Sequence, residues 1–206
     1  PEKIKLRQQH VQEIANALNE CPYIRSWTAS PYYIVGFTYY MGFTNNKGQT
    51  VSAIPNMVTP QYMDIYKLKF IQGGLPESID GQVCLLNQSA MKAFGYTSMD
   101  GATVFSEFIK DTPIPVAGVL NDYYPGHISS GPVPIVFVIS DKDRGDKYEI
   151  ACHEGKVRDV LEYLKQVQKD VYGVESFKYS LLEDKLNDMY INDSKLADVY
   201  LLFSGV

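Results

Sequence analysis

The sequence predicts an α+β fold, and three observations carry that prediction. Apolar residues recur at helical spacing in two widely separated stretches, Val11 to Leu18 and Val157 to Val171. Between them lie short runs rich in Val, Ile, Tyr, Phe and Thr, residue types that suit a pleated, half-buried surface. Turn signals such as Asn45-Asn46-Lys47-Gly48 and Asp100-Gly101 punctuate those runs.

The elements follow in order. Pro1 to Asn19 reads as a helix, with Val11, Ile14, Ala15 and Leu18 on one face and Pro22 ending the run. Its polar start, with Lys3, Lys5 and Arg7, suits either a solvated face or a juxtamembrane segment. Tyr23 to Ser30 and Tyr32 to Phe43 are expected to be extended and separated by Pro31. The Asn45–Gly48 turn returns the chain as a strand over Gln49 to Ile54, completing a meander. Thr59 is expected to cap a short helix with Pro60 in its first turn and Tyr62, Ile65 and Tyr66 on its apolar side. Leu68 to Ile71 follows.

Val83 to Tyr124 is the organising stretch, read as strand, short helix, turn, strand, strand. Val83 to Leu86 is a brief apolar run, and Asn87 or Ser89 can offer a side-chain oxygen to the free N–H groups of a helix start. Ala90, Met91, Ala93 and Phe94 continue that helix, and Gly95 stands where a left-handed stop costs least. Ile114 to Leu120 and Val133 to Ile139 read as strands, Asp141 to Asp146 as a charged loop, and Tyr148 to Cys152 as another strand. Lys156 to Asp170 is the best-patterned helix, with Val157, Val160, Leu161, Leu164, Val167 and Val171 on one face and Gly173 at its end. Phe177 to Leu182 is expected to be extended and Glu183 to Tyr190 helical. Asn192-Asp193-Ser194 can cap a last helix in which Leu196, Ala197, Val199, Tyr200, Leu201, Leu202 and Phe203 cover every face. Such a helix is either buried or the first turns of a membrane span.

Composition narrows the function. The 206 residues suffice for one domain or two small ones. A net charge of −5 with no basic stripe argues against tracking the phosphates of nucleic acid. No apolar leader-like segment follows Pro1, and no run of about 18 apolar residues occurs, so this stretch is not expected to span a membrane by itself. The start without Met suits a piece trimmed from a longer chain. Cys21, Cys84 and Cys152 lack metal-ligand spacing, and their odd number leaves at least one thiol unpaired within a monomer. A disulfide scaffold is not expected, and the compartment stays open.

Motifs for chemistry are sparse. His10, His127 and His153 are isolated, with no HExxH or HxH pattern. Cys152-His153-Glu154 pairs a thiol with an imidazole in sequence, but neighbours on a strand point to opposite faces and would not meet. Asp141, Asp143 and Asp146 resemble the opening of a calcium loop, but Gly145 comes one place early and position twelve is Cys152. Asn121-Asp122 sits at a strand end, where either a site or a plain turn fits. No Walker A, GxSxG or GxGxxG pattern occurs. No catalytic, cofactor-binding or metal-binding residue is therefore assigned, no cofactor is expected, and ligand-binding residues are left unassigned.

LLNQSAMKAFG, then DGATV, then IPVAGVLNDYYPGHI and GPVPIVFV resemble the extracytoplasmic core of MacB/FtsX-type ABC transporter permeases. In that family the order is an LNxxAxxxxG strand-helix, a GxxV turn-strand and a VxGVxxDF strand before a proline-led strand. The family's aromatic YF pair and following GR are matched here only by Tyr62. The resemblance spans about Ile14 to Val206 and implies a two-lobed domain. Residues 1–58 and 131–206 would form a βαβ-containing lobe, with residues 59–130 as a smaller inserted lobe. It implies a non-catalytic, periplasm-facing part of a bacterial cytoplasmic membrane protein. A separate cytoplasmic ATPase subunit and a second permease copy would be its partners. ATP-driven motion would pass through the helices at Pro1–Asn19 and Glu183–Val206 to a peptide, drug or lipoprotein substrate or to a periplasmic partner protein. It favours the membrane-span reading of the last helix. The alternative is a stand-alone envelope or secreted module that binds a peptide or glycan through a Tyr-rich surface.

Overall fold

The structure, a computed structural model, describes residues 2–30, 39–79, 81–107, 109–122, 131–140, 147–173, 175 and 177–184. The α+β class holds. Four helices, α1 (Glu2–Glu20), α2 (Tyr62–Ile65), α3 (Gln88–Ala93) and α4 (Val157–Tyr172), accompany nine strands among these residues. The strands are β1 (Ile24–Ser30), β2 (Met41–Asn45), β3 (Thr50–Val58), β4 (Phe70–Gly73), β5 (Val83–Asn87), β6 (Thr103–Ser106), β7 (Lys110–Leu120), β8 (Ile135–Ile139) and β9 (Lys147–Cys152).

They form two sheets. β1 and β9 pair antiparallel, and α1 packs on both β1 and α4, so a layer is built from the two ends of the described chain. The other seven strands lie in the order β4-β7-β5-β8-β3-β2-β6. The long β7 also pairs with β6 through its first half, which joins β7-β5-β8-β3-β2-β6 into a ring with β4 outside it. Ring closure leaves few unpaired strand edges.

The strand pairing runs across the residue bounds expected for the two lobes. β3 and β8 were grouped with the chain ends by the division at 58/59 and 130/131, yet they are hydrogen-bonded into the same sheet as β5 and β7. The physical reason lies in β8. Val136 and Val138 face one hydrophobic cluster with Leu86, Ala90 and Phe94, while Ile135, Phe137 and Ile139 face a second with Tyr62, Leu85 and Leu120. A strand buried on both faces must sit inside a sheet, which is why it reads as a continuous apolar run. The parallel pair β5 and β7, connected through α3 and β6, lies within the stretch expected as the inserted lobe.

β3 continues past the expected end at Ile54. Its first residues pair with β2 as far as Ala53↔Met41, and from Ile54 onward it pairs with β8. Ile54 N–H donates to Pro134 O, so Pro55 turns its missing N–H to the opposite side, where β2 has already ended. Thr59 does not cap α2. Gln61 occupies that place, and the buried Thr59 hydroxyl pairs instead with Thr28 Oγ1 at 2.9 Å. Residues 177–181 form no strand, and 182–184 are helical. The turn Asn45–Gly48 joins β2 to β3 as expected, with Gly48 at φ 80°. The helix proposed for Asn192–Phe203, His127 and the Asp141–Asp146 loop lie outside the described residues.

The β4–β7 edge depends on glycine. Gly73 has φ 66°, and a Cβ there would stand 2.3 Å from Ala117 O, the acceptor of Gly74 N–H. Gly73→Ala must either flip φ or push the strands apart. It is expected to cost about 2–3 kcal/mol, read as a lower urea midpoint at unchanged m-value.

Candidate functional site

The chain-end layer holds a groove of about 710 Å³ between α1, α4, β9 and residues 177–182. Its origin is visible in α4. The apolar stripe of that helix is wide, but only Val160 is fully buried; Leu161, Leu164 and Val167 are half-buried and Val157 is exposed. Tyr172, Tyr179 and Leu182 add exposed apolar surface along the same groove. Lys147, Glu149 and Glu154 stand among its lining, so the site offers an apolar floor with charged groups of both signs.

Specific contacts set the walls. Tyr163 Oη donates to Ala17 O at 2.9 Å, and the His10 ring meets Tyr172 edge-on at 4.8 Å, tying α1 to α4. Burial, with the nearby Cys21 and Glu20, holds the Tyr163 phenol above its ordinary pKa. Gly173 in the left-handed region ends α4. Tyr66 Oη donates to Glu149 Oε2 at 2.8 Å and links α2 to β9. Tyr163→Phe removes one hydrogen bond without opening a cavity. It is expected to cost about 1 kcal/mol and to raise amide exchange at the C-terminal end of α1.

The chemistry-bearing residues noted in the sequence do not converge. Cys152 ends β9, and the next N–H, of His153, is spent on Tyr23 O. Burial and the neighbouring Cys21 push the Cys152 thiol up, opposite to the depression that activates a nucleophilic cysteine. Cys84 is buried in β5 and donates to Pro115 O at 3.4 Å; burial pushes its thiol far up. Asp122, at the end of β7, accepts from Ser89 N–H at 2.9 Å and Ser89 Oγ at 2.8 Å, so this strand-end carboxylate holds the start of α3. Among the described residues, no three His, Cys, Asp or Glu side chains are grouped to hold a metal ion. The groove itself escaped sequence reading. Its walls come from residues more than a hundred positions apart, and the breadth of the α4 stripe was its one local sign.

The architecture is a ring of strands carrying a helix-and-strand layer made from both ends of the described chain. Solved structures of periplasmic and extracellular transporter domains are similar to it. The periplasmic region of MacB from Actinobacillus actinomycetemcomitans matches at 20% identity and a TM-score of 0.62, covering 88% of this chain and 82% of that one. The extracellular domain of the noncanonic ABC-type transporter YknZ from Gram-positive bacteria matches at 16% identity and a TM-score of 0.57, over 79% and 83%. A domain of a protein assigned as a permease from Porphyromonas gingivalis matches at 17% and 0.55, over 76% and 74%. No protein-family model matches the sequence, and comparison with curated proteins gives no match either. The chain therefore has a MacB-like extracytoplasmic-domain fold. No helix among the described residues is long and apolar enough to cross a membrane.

Proposed function

We propose that this chain is the extracytoplasmic, non-catalytic domain of an ABC-type permease of a bacterial cytoplasmic membrane. The observation that carries the reading is the likeness to the periplasmic region of MacB over 88% of this chain. ATP binding and hydrolysis in a separate cytoplasmic subunit would shift the transmembrane helices, and α1 would act as a rigid lever continuing from them. The contacts offer a path for that motion. Asn19 of α1 accepts a hydrogen bond from Trp27 Nε1 on β1 at 2.9 Å, and the Thr28–Thr59 and Tyr66–Glu149 bonds join the chain-end layer to the seven-stranded sheet. Two permease copies would face each other and act on a peptide, drug or lipoprotein, or on a periplasmic partner protein.

The parent reading frame tests the placement. An apolar run of about 20 residues on each side of this stretch supports it, and a signal peptide before Pro1 with a stop near Val206 sinks it. The mechanical account is tested in the assembled transporter with spin labels at Gln9→Cys on both copies, in a Cys152→Ser background. ATP is expected to change the label separation by several ångströms; an unchanged distance distribution removes the lever. A stand-alone envelope or secreted binding module for a peptide or glycan is the second reading. It is favoured by the open groove with its exposed Tyr172 and Tyr179, and the same reading frame separates the two.

A further inference from the structure

Three cysteines in one chain allow three pairings, and the fold treats them unequally. Cys84 lies in the seven-stranded sheet, wholly buried, with its thiol aimed at backbone carbonyls of β7. Cys21 and Cys152 both belong to the chain-end layer. Cys21 closes the last turn of α1 through its N–H to Ala17 O, and its own carbonyl accepts from Ile24 N–H, making a tight turn across Pro22 and Tyr23. Such a turn keeps its first and fourth Cα atoms within about 7 Å. Ile24 is the residue paired with Cys152 in the β1–β9 ladder, and His153 N–H closes the register onto Tyr23 O. Cys21 is thus folded back beside the strand residue that faces Cys152. Cys21 stands at the end of α1, which packs on β1, and Cys152 lines the groove between α1, α4 and β9, so both belong to the same helix-covered part of the layer; the nearby Cys21 also helps to push the Cys152 thiol up. Cys152 lines the groove and is partly open to reagents, while Cys21 is buried behind it.

From this placement we propose that Cys21 and Cys152 form a reversible disulfide that staples the end of α1 to β9, leaving Cys84 as the odd free thiol. The bond would close a loop through all nine described strands and fix the end of α1 to β9. The oxidant is a low-molecular-weight or protein disulfide, by thiol–disulfide exchange. The accessible Cys152 thiolate attacks that disulfide and expels one thiolate, giving a mixed disulfide. The Cys21 thiolate then attacks Cys152 Sγ and expels the second. Each leaving thiolate takes up one of the two protons lost by the cysteines, so the products are one protein disulfide and two reduced thiols. This inference does not depend on the transporter reading, because pairing is decided by geometry and tested outside the cell.

The test uses the purified protein with oxidised glutathione at alkaline pH, then denaturation, alkylation, intact mass and peptide mapping. The expected result is a single alkylated thiol at Cys84 and a cross-linked peptide joining Cys21 to Cys152. Cys21→Ser is expected to stop at a glutathione adduct on Cys152, and Cys152→Ser to give no cross-link. Oxidation is expected to raise the melting temperature of the unsubstituted protein by about 5–15 °C, a shift absent from Cys152→Ser. Three alkylated thiols, a lasting glutathione adduct on unsubstituted Cys152, a bond to Cys84 or a disulfide between molecules would each overturn the pairing. An unchanged melting temperature with the bond formed would overturn the staple.

Discussion

Phe137→Ala is expected to lower the stability of the protein by about 3–5 kcal/mol and its melting temperature by about 10 °C. Phe137 is fully buried at the middle of β8, opposite Asn56 of β3 on one side and Leu85 of β5 on the other. Its ring centroid lies 5.9 Å from that of the equally buried Tyr62, and Leu120, Ile135 and Ile139 complete the cluster. Both flanking strands are held by ladder hydrogen bonds and cannot close over the gap, so the transfer loss and the cavity cost add. Phe137→Leu keeps most of the volume and is expected to lose less than half as much. Urea denaturation checks both. A loss under about 1 kcal/mol for the alanine variant would mean that the site collapses freely and this face of the sheet is not a fixed core.

The parts of this fold that were legible in the sequence are those decided within a few residues. Gly48, Gly95 and Gly173 stand at positive φ where turn and helix-end chemistry places them. The stripes of α1 and α4 and the apolar run of β8 needed no distant information either. What could not be read was which strand meets which. β3 changes partners between Ala53 and Ile54, and β7 pairs with β6 in its first half and with β4 and β5 in its second. Nothing local distinguishes the two halves of such a strand. Thr59 misled for a related reason: a side chain with good capping chemistry was taken by a buried partner 31 positions away. The groove is a product of the same non-local assembly.

The motifs that suggested the family have structural work that accounts for them. In LLNQSAMKAFG, Asn87 caps α3, Ala90 is fully buried beneath it and Gly95 ends it at φ 65°. In VAGVLND, a Cβ on Gly118 would stand 2.8 Å from the Phe70 ring, and Asp122 holds Ser89. These residues specify how β5, α3 and β7 lock together. A pattern built from such constraints reports the fold, which is why the resemblance and the structural likeness agree.

Asn87 puts that argument to its strongest test. The sequence left Asn87 and Ser89 as equal candidates for the cap, and the structure divides their roles. Asn87 Oδ1 accepts from Ala90 N–H at 3.0 Å and from Ile135 N–H at 2.9 Å, while Nδ2 donates to Val133 O at 2.8 Å. One buried amide thus fixes the start of α3 and the entry into β8, which is 48 residues away. Asn87→Ala strips partners from three backbone groups, each of which costs about 1–3 kcal/mol when left unsatisfied and buried. Because the losses overlap, a total of about 3–5 kcal/mol is expected rather than their sum. Asn87→Asp keeps the acceptor but sets a carboxylate against the Val133 carbonyl in a buried site, so it should recover only part of the loss. Ser89→Ala removes one hydroxyl while the Ser89 position still offers its N–H to Asp122, and about 1 kcal/mol is expected. Amide exchange separates capping from pinning. In Asn87→Ala, the Ala90 and Ile135 amides should lose protection together. If Ala90 alone were to exchange faster, with Ile135 unchanged, Asn87 would be only a helix cap, and β8 would owe its register to the ladder with β3 and β5.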